Sequence, residues 1–309
     1  MPLEIADFTA EIEAIDSSTE SDDEFRFKEF RAFIGSRPDI EDRHDFDIKP
    51  IQIKSYKSWF QSYFSRVVLV PQLRETRALV GFSRLKPCSP GEEKVSMERN
   101  KYDWLPAMEV RGEGVFIEFR DDKLLQWEIL RKPLKRAQHK NQMIQEAVLS
   151  GQPNFTRRKN VDERFLLIHS FAHLVIRQLA FECGYDAGSL KERVFVGDSE
   201  HIKMNGVLIY TASGDAEGSL GGLVERGKPG LFERTVSAAL NEAQYCSNDP
   251  ICLETTKQGH QGYNAAACHS CLLLPETCCE HNNLLLDRTA IIGSVDGPET
   301  GYFFNLDFS

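Results

Sequence analysis

Cys268 and Cys271, in the run ACHSCLLLPETCCEHNN, carry the strongest chemical signal in the chain. A turn across two residues brings two thiolates to one tetrahedral Zn²⁺, and two further ligands must then come from nearby. Cys246, Cys252, Cys278 and Cys279 are the candidates. Cys246-x5-Cys252 makes a plausible first pair, and either Cys278 or Cys279 could replace one of its members. Of the 8 cysteines only Cys88 and Cys183 stand outside this cluster. Such clustering suits a metal site better than a disulfide framework spread along a secreted chain. Four thiolates close the coordination shell and leave no position for water, so the expected cofactor is a structural Zn²⁺ whose binding energy is folding energy.

His169 and His173 are four apart and would share one face of a helix. The residues between them, Ser170, Phe171 and Ala172, lack the glutamate that follows the first histidine of the H-E-x-x-H zincins. Their apolar surroundings favour packed core histidines, with a metal or catalytic site as the alternative. The loop TASGDAEGSLGGLVERG lies between a strand-like and a helix-like segment, where backbone amides could cradle an anion. It lacks the G-x-x-x-x-G-K-[ST] pattern, and Asp215 and Glu217 would repel phosphate, so a tight structural connection is the preferred reading. His169, His173, Asp215 and Glu217 together would suit a metal-dependent nuclease, the competing functional class.

Arg131, Lys132, Lys135, Arg136, His139 and Lys140 crowd one short stretch, and Arg157, Arg158 and Lys159 follow in TRRKN. These are the candidate phosphate contacts, a solvated helix face being the plain alternative. The formal net charge of −10 argues against wrapping nucleic acid with the whole surface, and a scaffold without DNA contact is a third reading. Acidic residues concentrate in residues 1–24, which read as a flexible arm.

The positioning elements can be sketched from periodicity. SRVVLVPQ, ALVGFSRL and GEGVFIEF read as strands, KPCSPGEEKVSMERNKYDWLP reads as a loop, and the chain through about residue 130 is expected to be mostly β. Helical spacing follows in NQMIQEAVLS and in DERFLLIHSFAHLVIRQLAFECG, which Gly184 should stop. GVLIYT reads as a buried strand, and LFERTVSAALNEAQYC as a helix delivering Cys246. The expected architecture is α+β: a β-rich part over 25–135, a mixed α/β zinc domain over 136–293 and a tail over 294–309. With 41% apolar and 27% charged residues the composition is that of an ordinary globular protein. No run approaches the ~20 apolar residues of a membrane helix. The N-terminus shows no signal peptide, and a cytoplasmic location is expected.

Taken in order, HSFAHLVIRQLAFECGYDAGSLKER, GVLIYTASGDAEGSLGGLVERG, QYCSNDPIC and ACHSCLLLPETCCEHNNLLLDR resemble the MrfA-type zinc-binding domain, as it occurs in the DrmB-like proteins of the DISARM anti-phage system. LVPQLRETRALVGFSRL and WLPAMEVRGEGVFIEF resemble the segment preceding it, and the likeness spans about residues 50 to 293. The resemblance implies a cysteine-bound zinc held by four of Cys246, Cys252, Cys268, Cys271 and Cys279. It also implies a non-catalytic role beside a superfamily 2 helicase in a complex that engages DNA, ATP hydrolysis coming from the partner. Full DrmB-like proteins are considerably longer than this chain.

Overall fold

Long β-branched and aromatic runs build the centre of the protein, because alternate side chains can be buried on opposite faces of one sheet. The computed structural model describes residues 5–6, 22–35, 45–79, 81–82, 95–96, 104–131, 135–149, 161–198, 203–211, 221–304 and 306. Its strands are β1 (Ile5–Ala6), β2 (Phe46–Ile51), β3 (Phe64–Ala78), β4 (Gly81–Phe82), β5 (Val95–Ser96), β6 (Ala107–Phe119), β7 (Leu190–Asp198) and β8 (Lys203–Thr211). Its α-helices are α1 (Asp22–Phe33), α2 (Ser58–Tyr63), α3 (Asp121–Arg131), α4 (Arg136–Leu149), α5 (Glu163–Cys183), α6 (Gly222–Arg226), α7 (Phe232–Glu242), α8 (Ile251–Glu254) and α9 (Thr289–Ile292).

Six strands form one antiparallel sheet in the order β1-β3-β6-β8-β7, with β2 beside β1 on the same edge of β3. Since β6 pairs directly with β8, the sheet runs through both the expected β-rich part and the expected zinc domain. The fold is α+β, as the sequence implies. Several elements depart from the sequence reading, among them α1 and α2, which are helices in the part expected to be mostly β. Asp121–Arg131 is a helix in a stretch expected to be β, and Asp121 and Asp122 in its first turn complement the helix dipole. Val95–Ser96 pairs with Gly81–Phe82 inside the expected loop. β7 carries LKERVFVGD, whose charged residues mask its alternation.

Each face of the sheet has its own cover. Val68, Val70, Phe116, Leu208 and Phe195 point to α1, where Phe33 stacks on Phe116 at 4.7 Å between ring centroids. Val67, Leu69, Ile117, Phe119, Val194, Val207 and Ile209 point the other way, to the larger cluster built on α5, α7 and the cysteine-rich segment. Burying one such Phe is worth about 1.5–3 kcal/mol. α5 begins at an N-cap where Asp162 accepts a hydrogen bond from the Phe165 amide at 2.6 Å, and ends at Gly184 with φ 71°, where a left-handed residue is needed. It is long and apolar enough to cross a membrane, yet 72% of that window is packed inside the fold, so its apolarity serves the core.

Beyond α7 regular structure is sparse, and buried amides replace the missing ladders. Asn283 donates to Leu274 O at 2.7 Å and accepts from Leu274 N at 3.0 Å, while Asn264 accepts from Leu286 N at 3.0 Å. The C-terminal segment is not a loose appendage as far as it is described: Tyr302 and Phe303 are buried against Tyr63.

Candidate metal centre

Four sulfurs converge where three short segments meet. Cys246 follows the end of α7, Cys252 lies in α8, and Cys268 and Cys271 flank a turn closed by the Cys271 and Leu272 amides, which donate to Cys268 O at 3.1 and 3.0 Å. Sγ–Sγ separations are 3.4 Å for Cys246–Cys268, 3.7 Å for Cys268–Cys271 and 3.8 Å for Cys252–Cys271. A disulfide needs about 2.05 Å. A tetrahedron of about 2.3 Å Zn–S bonds has edges near 3.8 Å, so this donor set fits Zn²⁺. The Cys268 amide donates to Cys271 Sγ at 3.3 Å, and the Asn248 side chain to Cys268 Sγ at 3.3 Å, the outer contacts expected around metal-bound sulfur.

The electrostatics differ from one sulfur to the next. Burial alone pushes Cys268 up, but hydrogen bonds from Asn248, Cys246 and the Ser270 backbone outweigh it and bring the thiol down to about 6. Burial pushes Cys271 up to about 12, and raises Cys252 further, with Cys271 as the next cause. Four neighbouring sulfurs cannot all ionise without a cation among them. Arg288, fully buried, adds one compensating positive charge beside Cys271 and Cys252. It also holds the site's frame, since its guanidinium pairs with Asp249 and donates to Ala243 O at 3.0 Å.

The fifth candidate, Cys279, lies elsewhere. Its sulfur is 3.2 Å from His169 Nε2, and together with His173 and Glu192 these residues form a second buried group whose donor atoms all lie within 4.8 Å of one another. His169 and His173 are 0% exposed. A phosphodiester cannot reach them through the packed core, which removes the basis for a nuclease built on them; Asp215 and Glu217 lie outside the described residues. Glu192 is the member of this buried group that the sequence reading did not single out. It occupies the same face of β7 as Leu190, Val194 and Val196, so a carboxylate sits where alternation demands an apolar residue, and that break was a readable signal.

Three of the basic candidates also change role. Arg131 is 0% exposed and pairs with Asp287 and Glu163, both at 3.1 Å, over the Trp127 ring. Arg136 lies 3.4 Å from Asp287. Both guanidiniums are committed to interior carboxylates and are not available to phosphate. Lys140 donates to three backbone carbonyls, those of Thr256, Gly262 and Asn264, each at 2.8 Å. Lys135 is exposed, and Lys132, Arg157, Arg158 and Lys159 lie outside the described residues. A basic helix face and a buried ion-pair network have the same composition; only the tertiary partners distinguish them.

The exit of the glycine-rich loop already holds an anion of the protein's own. Buried Glu113 accepts from the Leu223 and Val224 amides at 2.9 and 3.2 Å and from Tyr185 Oη at 3.0 Å. That arrangement favours a structural connection; residues 212–220 are outside the described residues. Gly227 is required by packing, since a Cβ there would come within 2.7 Å of Val115 Cγ2.

Against known proteins, residues 171–272 match the MrfA Zn-binding domain, a span that contains all four clustered cysteines. The chain is 34% identical over 310 aligned residues to the DISARM protein DrmB of Bacillus paralicheniformis. The alignment takes in 97% of this chain but only 54% of that relative. The likeness thus continues well beyond the zinc-binding domain, into the N-terminal half of the sheet.

Proposed function

We propose that this chain, DrmB-like along nearly its whole length, is a non-catalytic, zinc-stabilised subunit of a DNA-engaging anti-phage complex that contains a superfamily 2 helicase. The observation that carries the reading is the four-cysteine arrangement: Cys246, Cys252, Cys268 and Cys271 bring four sulfurs close enough together to supply all four ligands of a tetrahedral ion. Zn²⁺ held there supplies no activated water; it fastens the segment after α7 to the core that covers the sheet. The sequence contains no P-loop motor motif, so ATP hydrolysis belongs to the helicase.

Whether the subunit itself grips DNA divides two versions of this function. The interior placement of Arg131, Arg136 and Lys140, with the net charge of −10, favours a scaffold that leaves DNA to the helicase. Fluorescence anisotropy of the zinc-loaded chain with single- and double-stranded DNA across a salt series separates them, alongside co-purification with the helicase subunit. Affinity that falls steeply with salt identifies direct phosphate contact. Co-purification without DNA affinity identifies the scaffold, and failure to associate with the helicase rejects the subunit role.

A further inference from the structure

Four side chains that could each donate to a metal point at one another inside the core, far apart in sequence and drawn from three elements. His169 and His173 come from α5, Glu192 from β7 and Cys279 from the turn that follows residues 276–278. Glu192 Oε1 lies 2.9 Å from His169 Nε2 and 3.4 Å from His173 Nε2, and His169 Nε2 lies 3.2 Å from Cys279 Sγ. All four residues are buried.

The outward-facing nitrogens fix the chemistry of the inward-facing ones. His169 Nδ1 lies 3.2 Å from Leu285 O and His173 Nδ1 2.9 Å from Leu272 O. A carbonyl only accepts, so each Nδ1 carries a proton and donates it, and Nε2 is the ring nitrogen aimed at Glu192. This is the backbone contact that metal-bound histidines adopt. Within the group His173 Nε2 and both oxygens of Glu192 have no hydrogen-bond partner. Buried polar atoms left without a matched partner are costly.

One dication removes all of these deficits together. We propose that His169, His173, Glu192 and Cys279 form a second metal site, taking a divalent ion of the Zn²⁺ class. Bonds of about 2.0–2.3 Å to nitrogen, oxygen and sulfur place tetrahedral ligands about 3.3–3.8 Å apart, close to the separations found here. The mixed imidazole, carboxylate and thiolate set suits zinc rather than the hard cations magnesium or calcium. With four protein ligands and no solvent access the site is structural, locking the Cys279 turn onto α5 and β7. Through the Leu272 carbonyl it is also joined to the residue that follows Cys271, a ligand of the first cluster.

The test is zinc content of the purified 309-residue chain after dialysis into metal-free buffer, with zinc K-edge absorption fine structure on the same sample. Two zinc ions per chain are expected, with about 2.5 sulfurs per zinc averaged over a four-sulfur and a one-sulfur site. Glu192→Gln and Cys279→Ser should each reduce the content to one zinc with an all-sulfur shell. One zinc in an all-sulfur shell in the wild-type chain overturns the proposal, and so do folded variants that retain two. One zinc with a nitrogen-rich shell supports this site and rejects the four-cysteine reading instead. The wild-type spectrum decides the matter even where a variant fails to fold.

Discussion

Replacing Arg131 with Met separates the interior role of this residue from the phosphate contact suggested by its basic neighbourhood. The substitution keeps the stem over Trp127 and removes the guanidinium from Asp287, Glu163 and the Thr289 carbonyl. Breaking one side of a buried ion pair costs about 3–5 kcal/mol because a carboxylate is left without its partner. Arg136 at 3.4 Å, together with the Thr289 amide and hydroxyl at 3.0 and 2.7 Å, continues to serve Asp287. The loss should therefore fall at the low end, about 3 kcal/mol. For a chain of this size that corresponds to roughly 6 °C in Tm, read by scanning calorimetry with zinc and protein concentration held constant. Lys135→Glu, at an exposed position, should stay within about 0.5 kcal/mol of wild type. An Arg131→Met protein that melts within about 1 °C of wild type, with weakened DNA binding, would refute the buried-network reasoning.

The same network predicts a pH dependence. Burial would raise Asp287, but Arg136, Arg131 and the Thr289 bonds outweigh it and hold the carboxyl below its usual range. A depressed native pKa stabilises the fold above the unfolded value of about 3.9, and that stability is lost as pH falls through the native value. In Arg131→Met the native value moves up toward the unfolded one, so this pH-dependent loss should be smaller and complete at higher pH, which acid-unfolding curves of the two proteins would reveal; superimposable curves would count against it. Cys268→Ser and Cys271→Ser should each lose the zinc of the four-cysteine cluster and lower Tm, and soluble variants with full metal content and unchanged melting would contradict this. Glu113→Ala should cost about 1–3 kcal/mol by stranding the Leu223 and Val224 amides and Tyr185, and unchanged urea unfolding would count against that capping role. Gly227→Ala should destabilise by about 1–3 kcal/mol through overpacking against Leu69 and Val115, measured in the same urea titration.

Local patterns were legible where chemistry is local. The two-residue spacing of Cys268 and Cys271, the Gly184 stop and the apolar runs of β3, β6 and β8 all speak within a few positions. Long-range pairing was not. Nothing near Cys279 in sequence says that its sulfur turns toward His169 on α5 rather than toward the other cysteines, because that depends on how the C-terminal segment packs beside α5 and β7. Arg131 and Arg136 read as solvated cations until Asp287, more than 150 positions later, is placed beside them. Glu192 lay in between: its position in a buried alternation was visible, but only once β7 is recognised as a strand.

Hydrogen exchange on the zinc-loaded chain, compared with the same protein stripped by a chelator, tests most directly whether zinc at the four-cysteine cluster fastens this segment to the rest of the fold. Loss of protection at the Cys271, Leu272, Asn264 and Leu286 amides is predicted, while the ladder between β3 and β6 stays protected. Equal protection of the cysteine-rich segment with and without metal would contradict the claim that zinc holds it in place.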